Sequence, residues 1–396
     1  MHLQSDICVI GNGAVGKAAA LGFAQAGLSV TLLGPSAAAP VSTESWDVRV
    51  YALNHVAKSL LSSLMVWDAL DQARVAPVDA MAIAGDGERF GGSVGFDAYG
   101  ARVGALAWIV EDRNLTQALD AALKFAHKVK QVAGKAVRVD ASGPSASVTL
   151  ENGDTLEAAL LVGADGAQSW LRGQSDIGLD YRSYGQRGVV SNFECERPHH
   201  GVAHQWFCGE QGVIALLPLP GQRVSLVWSA PDALADQLVK EPAQQLAERL
   251  ARWAAPKLGA LVPVRPESIK AFPLTLVKPH AMTAPRVALV GDAAHVVHPL
   301  AGQGMNLGFG DVAALLKEVA QPGNGRDWGD ARMLRRYARA RKEEVLLMQV
   351  ATDGLERLFA SEAEPMRFLR NAGMNLLDKL PVLKRRLIAQ ALGRAS

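Results

Sequence analysis

Three short segments carry glycines and carboxylates in patterns that suit the binding of a phosphorylated cofactor. The first is Gly11-Asn12-Gly13-Ala14-Val15-Gly16, with glycines at three spaced positions. The second contains Asp165-Gly166, and the third contains Gly291-Asp292 and, a little later, Gly302-Gln303-Gly304. Glycines let the backbone turn tightly and approach a pyrophosphate, and a carboxylate can accept hydrogen bonds from sugar hydroxyls.

Each segment follows a short apolar run of the kind found in buried parallel strands. The runs are residues 7–10, 160–163 and 287–290, and residues 30–33 form a fourth. Residues 14–26 have a helix-forming composition, so the chain is predicted to open with a strand, a tight turn, a helix and a strand. The start of such a helix offers free N–H groups to a pyrophosphate.

An acidic residue is expected at the end of the second strand, where it would hold a ribose hydroxyl. The sequence reads Leu33-Gly34-Pro35 there, without a carboxylate. Either Ser36 or a residue from elsewhere replaces the acid, or the adenosine end of the ligand is held more loosely.

The middle of the chain has a different pattern of polar and apolar residues. Residues 181–272 show alternating polarity and scattered aromatics, which predicts an antiparallel sheet with one covered face. We expect a helix from Pro242 to Trp253, mostly helix after Gly310 with one beginning near Met305, and a long basic helix from about Ala331.

These patterns predict an α/β protein whose Rossmann-type nucleotide-binding domain is split by an inserted, mainly antiparallel substrate sheet. Residues 1–75, 98–175 and 275–366 would form the first domain, and residues 76–97 and 176–274 the second. Residues 367–396 form a basic amphipathic tail with seven Lys or Arg and one Asp.

The composition excludes several classes of protein. The 396 residues are 49% hydrophobic and carry a formal net charge of +2, which argues against a disordered chain and a general nucleic-acid binder. Cys8, Cys195 and Cys208 fit neither a disulfide framework nor a zinc site, so a reducing, cytoplasmic compartment is expected. His295 and His298 lack a carboxylate cluster in the sequence, and no metal is predicted.

The three segments, in this order and spacing, resemble the FAD-dependent aromatic hydroxylases related to para-hydroxybenzoate hydroxylase, and most of all the ubiquinone-biosynthesis hydroxylase family. Residues 291–308, Gly-Asp-Ala-Ala-His-x-x-His-Pro-Leu-Ala-Gly-Gln-Gly-x-Asn-Leu-Gly, carry the longest match. Residues 47–53, 109–115, 163–166, 215–219 and 352–355 add to it, so the resemblance covers essentially the whole chain.

The resemblance implies roles for particular residues. FAD would be bound by residues of all three segments and by two arginines, and the Pro299 carbonyl would face the substrate hydroxyl above the flavin, with His298 beside it in the catalytic position. The implied cofactor-binding residues are Gly11, Gly13, Ala14, Gly16, Arg49, Arg113, Asp165, Asp292, Gly302, Gln303, Gly304, Met305 and Asn306. The substrate wall is expected at Trp206, Trp228 and Pro218, although core packing is an alternative for the tryptophans.

The implied reaction uses NAD(P)H and O2. Reduced FAD would form a flavin hydroperoxide, which would hydroxylate a polyprenyl phenol in ubiquinone biosynthesis. Two alternatives stay open: hydroxylation of another small aromatic, or a weakly FAD-binding structural subunit of a biosynthetic complex. The second is motivated by Gly34; Asn12 and Gly212-Val213 also depart from the family pattern. The basic tail could place a cytoplasmic protein at the membrane surface or against a partner, or pack on its own domain.

Overall fold

Three sheets and the helices packed on them make up the fold. The computed structural model describes residues 2–36, 45–85, 92–265, 269–298, 302–321 and 327–360, with side chains up to residue 354. The strands are β1 (His2–Ile10), β2 (Val30–Gly34), β3 (Val50–Leu53), β4 (Val75–Val78), β5 (Ala80–Ala84), β6 (Ser93–Asp97), β7 (Ala107–Glu111), β8 (Val129–Ala133), β9 (Ala136–Asp140), β10 (Ala146–Leu150), β11 (Thr155–Gly163), β12 (Leu179–Cys195), β13 (Val202–Phe207), β14 (Val213–Leu219), β15 (Arg223–Pro231), β16 (Leu261–Pro263), β17 (Lys270–Pro279), β18 (Thr283–Ala284) and β19 (Val287–Leu289). The helices are α1 (Ala14–Gln25), α2 (His55–Ser63), α3 (Asp112–Phe125), α4 (Trp170–Gln174), α5 (Asp232–Lys240), α6 (Ala243–Leu258), α7 (Gln303–Val319) and α8 (Ala331–Ala360).

The first sheet brings the predicted loops to one edge. Its strand order is β18-β19-β11-β1-β2-β8, with β10 and β9 added beside β11. Strands β1, β2, β8, β11 and β19 run parallel, and Ile10 lies opposite both Leu33 and Gly163. Gly163 in turn lies opposite Leu289. Because the strands end in register, the segments that follow them meet at the same carboxyl edge.

The second sheet has the order β16-β12-β15-β14-β13-β5-β6, with β17 paired to β12. It is antiparallel except where β13 pairs with β5. Helices α5 and α6 cover one face, where Trp228, Phe193 and Leu246 are buried together. Helix α6 continues to Leu258 rather than ending at Trp253, because Ala254 and Leu258 are also buried in this core.

A third, small sheet of β3, β7 and β4 contributes Leu53 and Val110 to the core of the first sheet. A small core that includes Ile109, Ala203 and Leu219 joins it to the second sheet. The predicted boundary at residues 75 and 76 falls inside β4. The exact domain boundaries therefore stay a proposal, whereas the predicted fold class is confirmed.

The C-terminal part of the described chain is helical. Helix α7 begins at Gln303, two residues before the predicted start, since Gly302 adopts a left-handed φ of 65° just ahead of it. It contacts α1 and α8, and α8 starts at the predicted Ala331. No helix in the described ranges is long and apolar enough to cross a membrane. The tail, residues 367–396, lies outside the described residues.

Candidate active site

The loop after β1 is shaped by close backbone approach. A Cβ atom on Gly11 would lie 2.2 Å from the carbonyl oxygen of Ala164, and one on Gly16 would lie 1.9 Å from that of Gly11. Neither position has room for a side chain. A Cβ on Gly13 would meet no described atom within 4 Å, so open space adjoins the start of α1, where Ala14 is the first helical residue.

Asp165 stabilises its own loop. Its carboxylate accepts hydrogen bonds from the Ser169 hydroxyl (2.5 Å) and the Leu171 amide (3.0 Å), which fixes the start of α4. The buried Arg172 donates to the Ala167 carbonyl (2.8 Å) and to the Ala293 carbonyl (2.9 Å). Arg172, which was not predicted as a site residue, therefore ties the second segment to the third.

Asp292 projects from a short 3-10 turn, Gly291–Ala293, that follows β19. Its side chain is exposed to a cavity and has no hydrogen-bond partner among the described residues. Burial within the surrounding walls raises the pKa of its carboxyl, and the positive charges of His295 and Arg49 partly offset that rise. An acceptor group thus faces the cavity unpaired.

A buried ionic network underlies Asp292. The Asp311 carboxylate accepts from the Gly291 amide (2.9 Å), His295 Nε2 (2.7 Å) and Arg341 Nε (2.7 Å). Burial disfavours the charged forms of Asp311 and His295. The attraction between these two groups, together with Arg341, nevertheless holds the pKa of Asp311 below its ordinary value, and Asp311 raises the pKa of His295. The network connects α7 and α8 to the turn that carries Asp292.

The two predicted arginines lie near the start of α3. Arg49 is exposed and lines the cavity, with its guanidinium 5.5 Å from the centre of the Tyr51 ring. Arg113 donates to the Ser45 carbonyl (3.1 Å). The buried Glu111 accepts a hydrogen bond from the Asp47 amide (2.5 Å), two residues before Arg49, and pairs with Arg74 at 2.6 Å.

Asn306 joins the third segment to β3. Its amide nitrogen donates to the Ala52 carbonyl (2.8 Å), and its oxygen accepts from the Asn54 amide (2.9 Å). The residues around it, Gly302, Gln303, Gly304 and Met305, line the cavity at the start of α7. The helix start therefore faces the cavity with its free backbone N–H groups.

A cavity of about 1180 Å³ is lined by loops at the carboxyl edge of the first sheet and by strands of the second and third sheets. Residues of the second and third predicted segments reach its wall, among them Gln168, Asp292 and Gly302, whereas no residue of the first segment, 11–16, lines it. Most of the remaining wall is apolar and comes from the second sheet. This volume exceeds that of a typical small-ligand pocket, roughly 300–1,000 Å³, and can hold a ring system with a second molecule beside it.

Strand alternation decides which side chains of the second sheet face the cavity. Val213, Ala215 and Leu217 of β14 line it, as do Val227 and Ser229 of β15. The predicted wall residues Trp206, Trp228 and Pro218 do not. Trp228 points into the helix-covered core, where its Nε1 donates to the Gln211 carbonyl (2.6 Å), and Trp206 packs against the same core. On β13, Gln205 lies opposite Ala215 and lines the cavity on this face, whereas His204 borders the cavity with its ring stacked on Trp206.

Of the two predicted catalytic residues, Pro299 and His298, the structure describes only His298. Pro299 lies outside the described residues. His298 is fully buried and does not line the cavity; its ring meets Tyr184 edge-on at 4.8 Å and its Nε2 lies 3.2 Å from Gln186 Oε1. Burial lowers the pKa of His298 to about 4. Its position suits packing of the loop rather than proton exchange with a molecule in the cavity.

Comparisons with known proteins agree with this geometry. A family model described as an FAD binding domain matches residues 4–349. The 3-demethoxyubiquinol 3-hydroxylase of Escherichia coli (strain K12) is 35% identical over 394 residues, which are 98% of each chain. The ubiquinone hydroxylase UbiL of Rhodospirillum rubrum is 34% identical over 393 residues, covering 98% of this chain and 90% of that protein. The crystal structure of p-nitrophenol 4-monooxygenase PnpA from Pseudomonas putida DLL-E4 shares the fold, with a TM-score of 0.79, 18% identity and coverage of 100% and 99%.

Proposed function

This chain belongs to the FAD binding domain family and is a flavoprotein monooxygenase, and we propose that it hydroxylates the aromatic ring of a polyprenyl phenol in ubiquinone biosynthesis. The observation that carries the proposal is that the second and third cofactor-type loops line one large, mainly apolar cavity, while the first loop follows the neighbouring strand at the same edge of the sheet. The named relatives, which match over nearly their whole length, support the substrate class.

The site fits FAD on three observations. Open space adjoins Gly13 at the start of α1, where backbone N–H groups suit a pyrophosphate. The unpaired Asp292 carboxylate suits the hydroxyls of the ribityl chain. Arg49 brings an exposed guanidinium, a group that suits phosphate oxygens, to the same cavity. We propose that these residues hold the cofactor, with Gln303 to Asn306 bordering its ring.

The bound cofactor, reduced by NAD(P)H, supplies the activation of O2. The chain's own residues position the phenol and exclude water. Val213, Ala215 and Leu217 provide an apolar wall against which an aromatic ring can pack. Gln205 and Ser229 bring polar groups to the same wall and are our proposed partners for the phenol hydroxyl. The role of the Pro299 carbonyl stays a prediction.

We further propose that the cavity takes its substrate from a membrane surface. Leu179, Tyr181 and Phe272 line the cavity while remaining 36%, 64% and 41% exposed. An apolar rim of this kind lets a polyprenyl chain leave the cavity, and aromatic side chains suit the membrane interface. The basic tail would add attraction to anionic lipid.

Two experiments test the proposed reaction. Purified protein should show the absorption bands of oxidised flavin, or gain them when FAD is added. A strain lacking the gene should accumulate a ubiquinone precursor that lacks one ring hydroxyl, and the wild-type gene should restore the product. A protein that never takes up FAD, or a deletion strain without any such precursor, would contradict the proposal.

The membrane proposal has its own test. A Tyr181→Ser, Phe272→Ser double variant should sediment less with anionic lipid vesicles than the unmodified protein. Phe125→Ser is the matched control, because Phe125 is 79% exposed but does not line the cavity. Equal loss in both variants, or no loss in the double variant, would argue against a membrane-facing rim.

A further inference from the structure

The side chain of Asn12 occupies the space above Gly34. A Cβ atom built on Gly34 would lie 2.3 Å from Asn12 Cγ and 2.6 Å from Asn12 Oδ1. Real Cβ atoms do not approach other atoms so closely, so any side chain at position 34 requires Asn12 to move. The two departures from the family pattern, at positions 12 and 34, are thus one structural arrangement.

The orientation of the Asn12 carboxamide follows from its hydrogen bond. Nδ2 donates to the Pro35 carbonyl oxygen at 2.8 Å, and only the nitrogen end of the amide can donate to a carbonyl. Oδ1 is therefore left as a free acceptor, without a partner among the described residues. Asn12 belongs to the first glycine turn and directly precedes Gly13, which adjoins open space.

We infer that Asn12 replaces the missing acid and accepts a hydrogen bond from the adenosine ribose of FAD; this rests on the proposed cofactor. An acid at the end of the second strand of a dinucleotide fold accepts from that ribose. Gly34 leaves this place without a side chain, and the Asn12 amide fills it from the neighbouring loop, held there by Pro35. Ser36, which is exposed, is the alternative acceptor.

The test compares flavin binding to apo-protein from which FAD has been removed. Asn12→Ala should raise the Kd for FAD about tenfold, the loss of one hydrogen bond, and leave the Kd for FMN unchanged because FMN lacks adenosine. Ser36→Ala should leave both values unchanged. The inference is overturned if Asn12→Ala binds FAD normally, if it weakens FMN equally, or if Ser36→Ala carries the loss.

A second pair of variants tests the contact itself. Gly34→Glu alone should weaken FAD binding, because its Cβ meets Asn12. In an Asn12→Ala background, where the three nearest atoms are gone, Gly34→Glu should instead tighten FAD binding. The same effect in both backgrounds would contradict the inference, and melting temperatures of the apo-variants check folding. Unmodified protein that fails to bind FAD would refute the proposed function rather than this inference alone.

Discussion

Asp311 and His295 share a 2.7 Å hydrogen bond beneath the turn that presents Asp292 to the cavity. Both side chains are fully buried, and the same carboxylate also binds the Gly291 amide and Arg341. The position of the Asp292 carboxylate is therefore set by residues of α7 and α8 that do not reach the cavity themselves.

Asp311→Asn should lower the free energy of unfolding by about 3–5 kcal/mol, because it leaves Arg341 buried without its main counter-charge. Urea unfolding of the apo-protein measures the loss. Glu344→Gln is the control: Glu344 also pairs with Arg341, but its side chain is 49% exposed, so a change below about 1 kcal/mol is expected. Similar, small changes in both variants would show that the network does not hold the turn.

Asp292→Asn should raise the Kd for FAD by about 10- to 100-fold, because hydrogen bonds to a charged acceptor are stronger than those to a neutral one. Fluorescence titration of apo-protein measures the change. Asp140→Asn, at an exposed position distant in the sheet from the cavity wall, should leave the Kd unchanged. Unaltered FAD affinity in Asp292→Asn would remove Asp292 from the cofactor site.

Ala215→Phe should raise KM for the phenolic substrate, because the added ring enters the cavity. Trp228→Phe should leave KM unchanged but destabilise the protein by about 1–3 kcal/mol, since it removes the hydrogen bond to Gln211 inside the core. Steady-state kinetics and urea unfolding of both variants make the comparison. The reverse pattern would place Trp228 rather than Ala215 at the substrate.

His298→Gln should flatten the dependence of stability on pH. The folded-state pKa is lowered from 6.5 to about 4, so protonation is penalised in the folded protein. The unfolded chain binds the proton first, and stability falls as the pH drops through this window. The slope of the free energy of unfolding against pH should therefore be smaller in the variant, by up to about 1.4 kcal/mol per pH unit. Urea unfolding between pH 4 and 6.5 measures this slope. Burial also lowers the pKa of His204 to about 4, so His204 accounts for the pH dependence of stability that remains in the variant. Parallel curves for the variant and the unmodified protein would contradict a buried, neutral His298.

The sequence predicted the carboxyl edge of the first sheet well. Parallel strands place the loops that follow them at one edge, so finding three apolar runs with Gly11, Asp165 and Asp292 after them was sufficient. The fold class followed from the same runs, because continuous apolar strands and alternating strands are distinguishable by pattern.

The cavity wall was harder to predict, because strand register decides it. On β14 and β15, one face is covered by helices and the other lines the cavity, yet both faces carry apolar residues. Trp228 and Val227 are neighbours on β15, so their side chains point to opposite faces of the sheet. A substrate wall predicted from aromatic character falls on the face of Trp228, which the helices cover. A prediction that α5 and α6 cover the face of Trp228 would have corrected it.

Contacts between distant segments were missed altogether. Asp311, Arg341 and Arg172 lie outside any motif that indicates ligand binding. Asp311 bonds to His295, 16 residues away, Arg341 bonds to Asp311, 30 residues away, and Arg172 bonds to Ala293, 121 residues away. The contact between Asn12 and Gly34 is likewise invisible in the sequence, although both positions depart from the family pattern. Only three-dimensional packing shows that one departure fills the space left by the other.

The most direct test of the central claim is a single-turnover or steady-state reaction under ¹⁸O2. The FAD-loaded protein, NAD(P)H and a polyprenyl phenol are incubated, and the product is analysed by mass spectrometry. The proposed reaction predicts a product with one additional ring hydroxyl whose oxygen carries the ¹⁸O label, formed only when both reductant and O2 are present. NAD(P)H oxidation that yields no hydroxylated phenol, or a hydroxyl labelled from water instead, would contradict it.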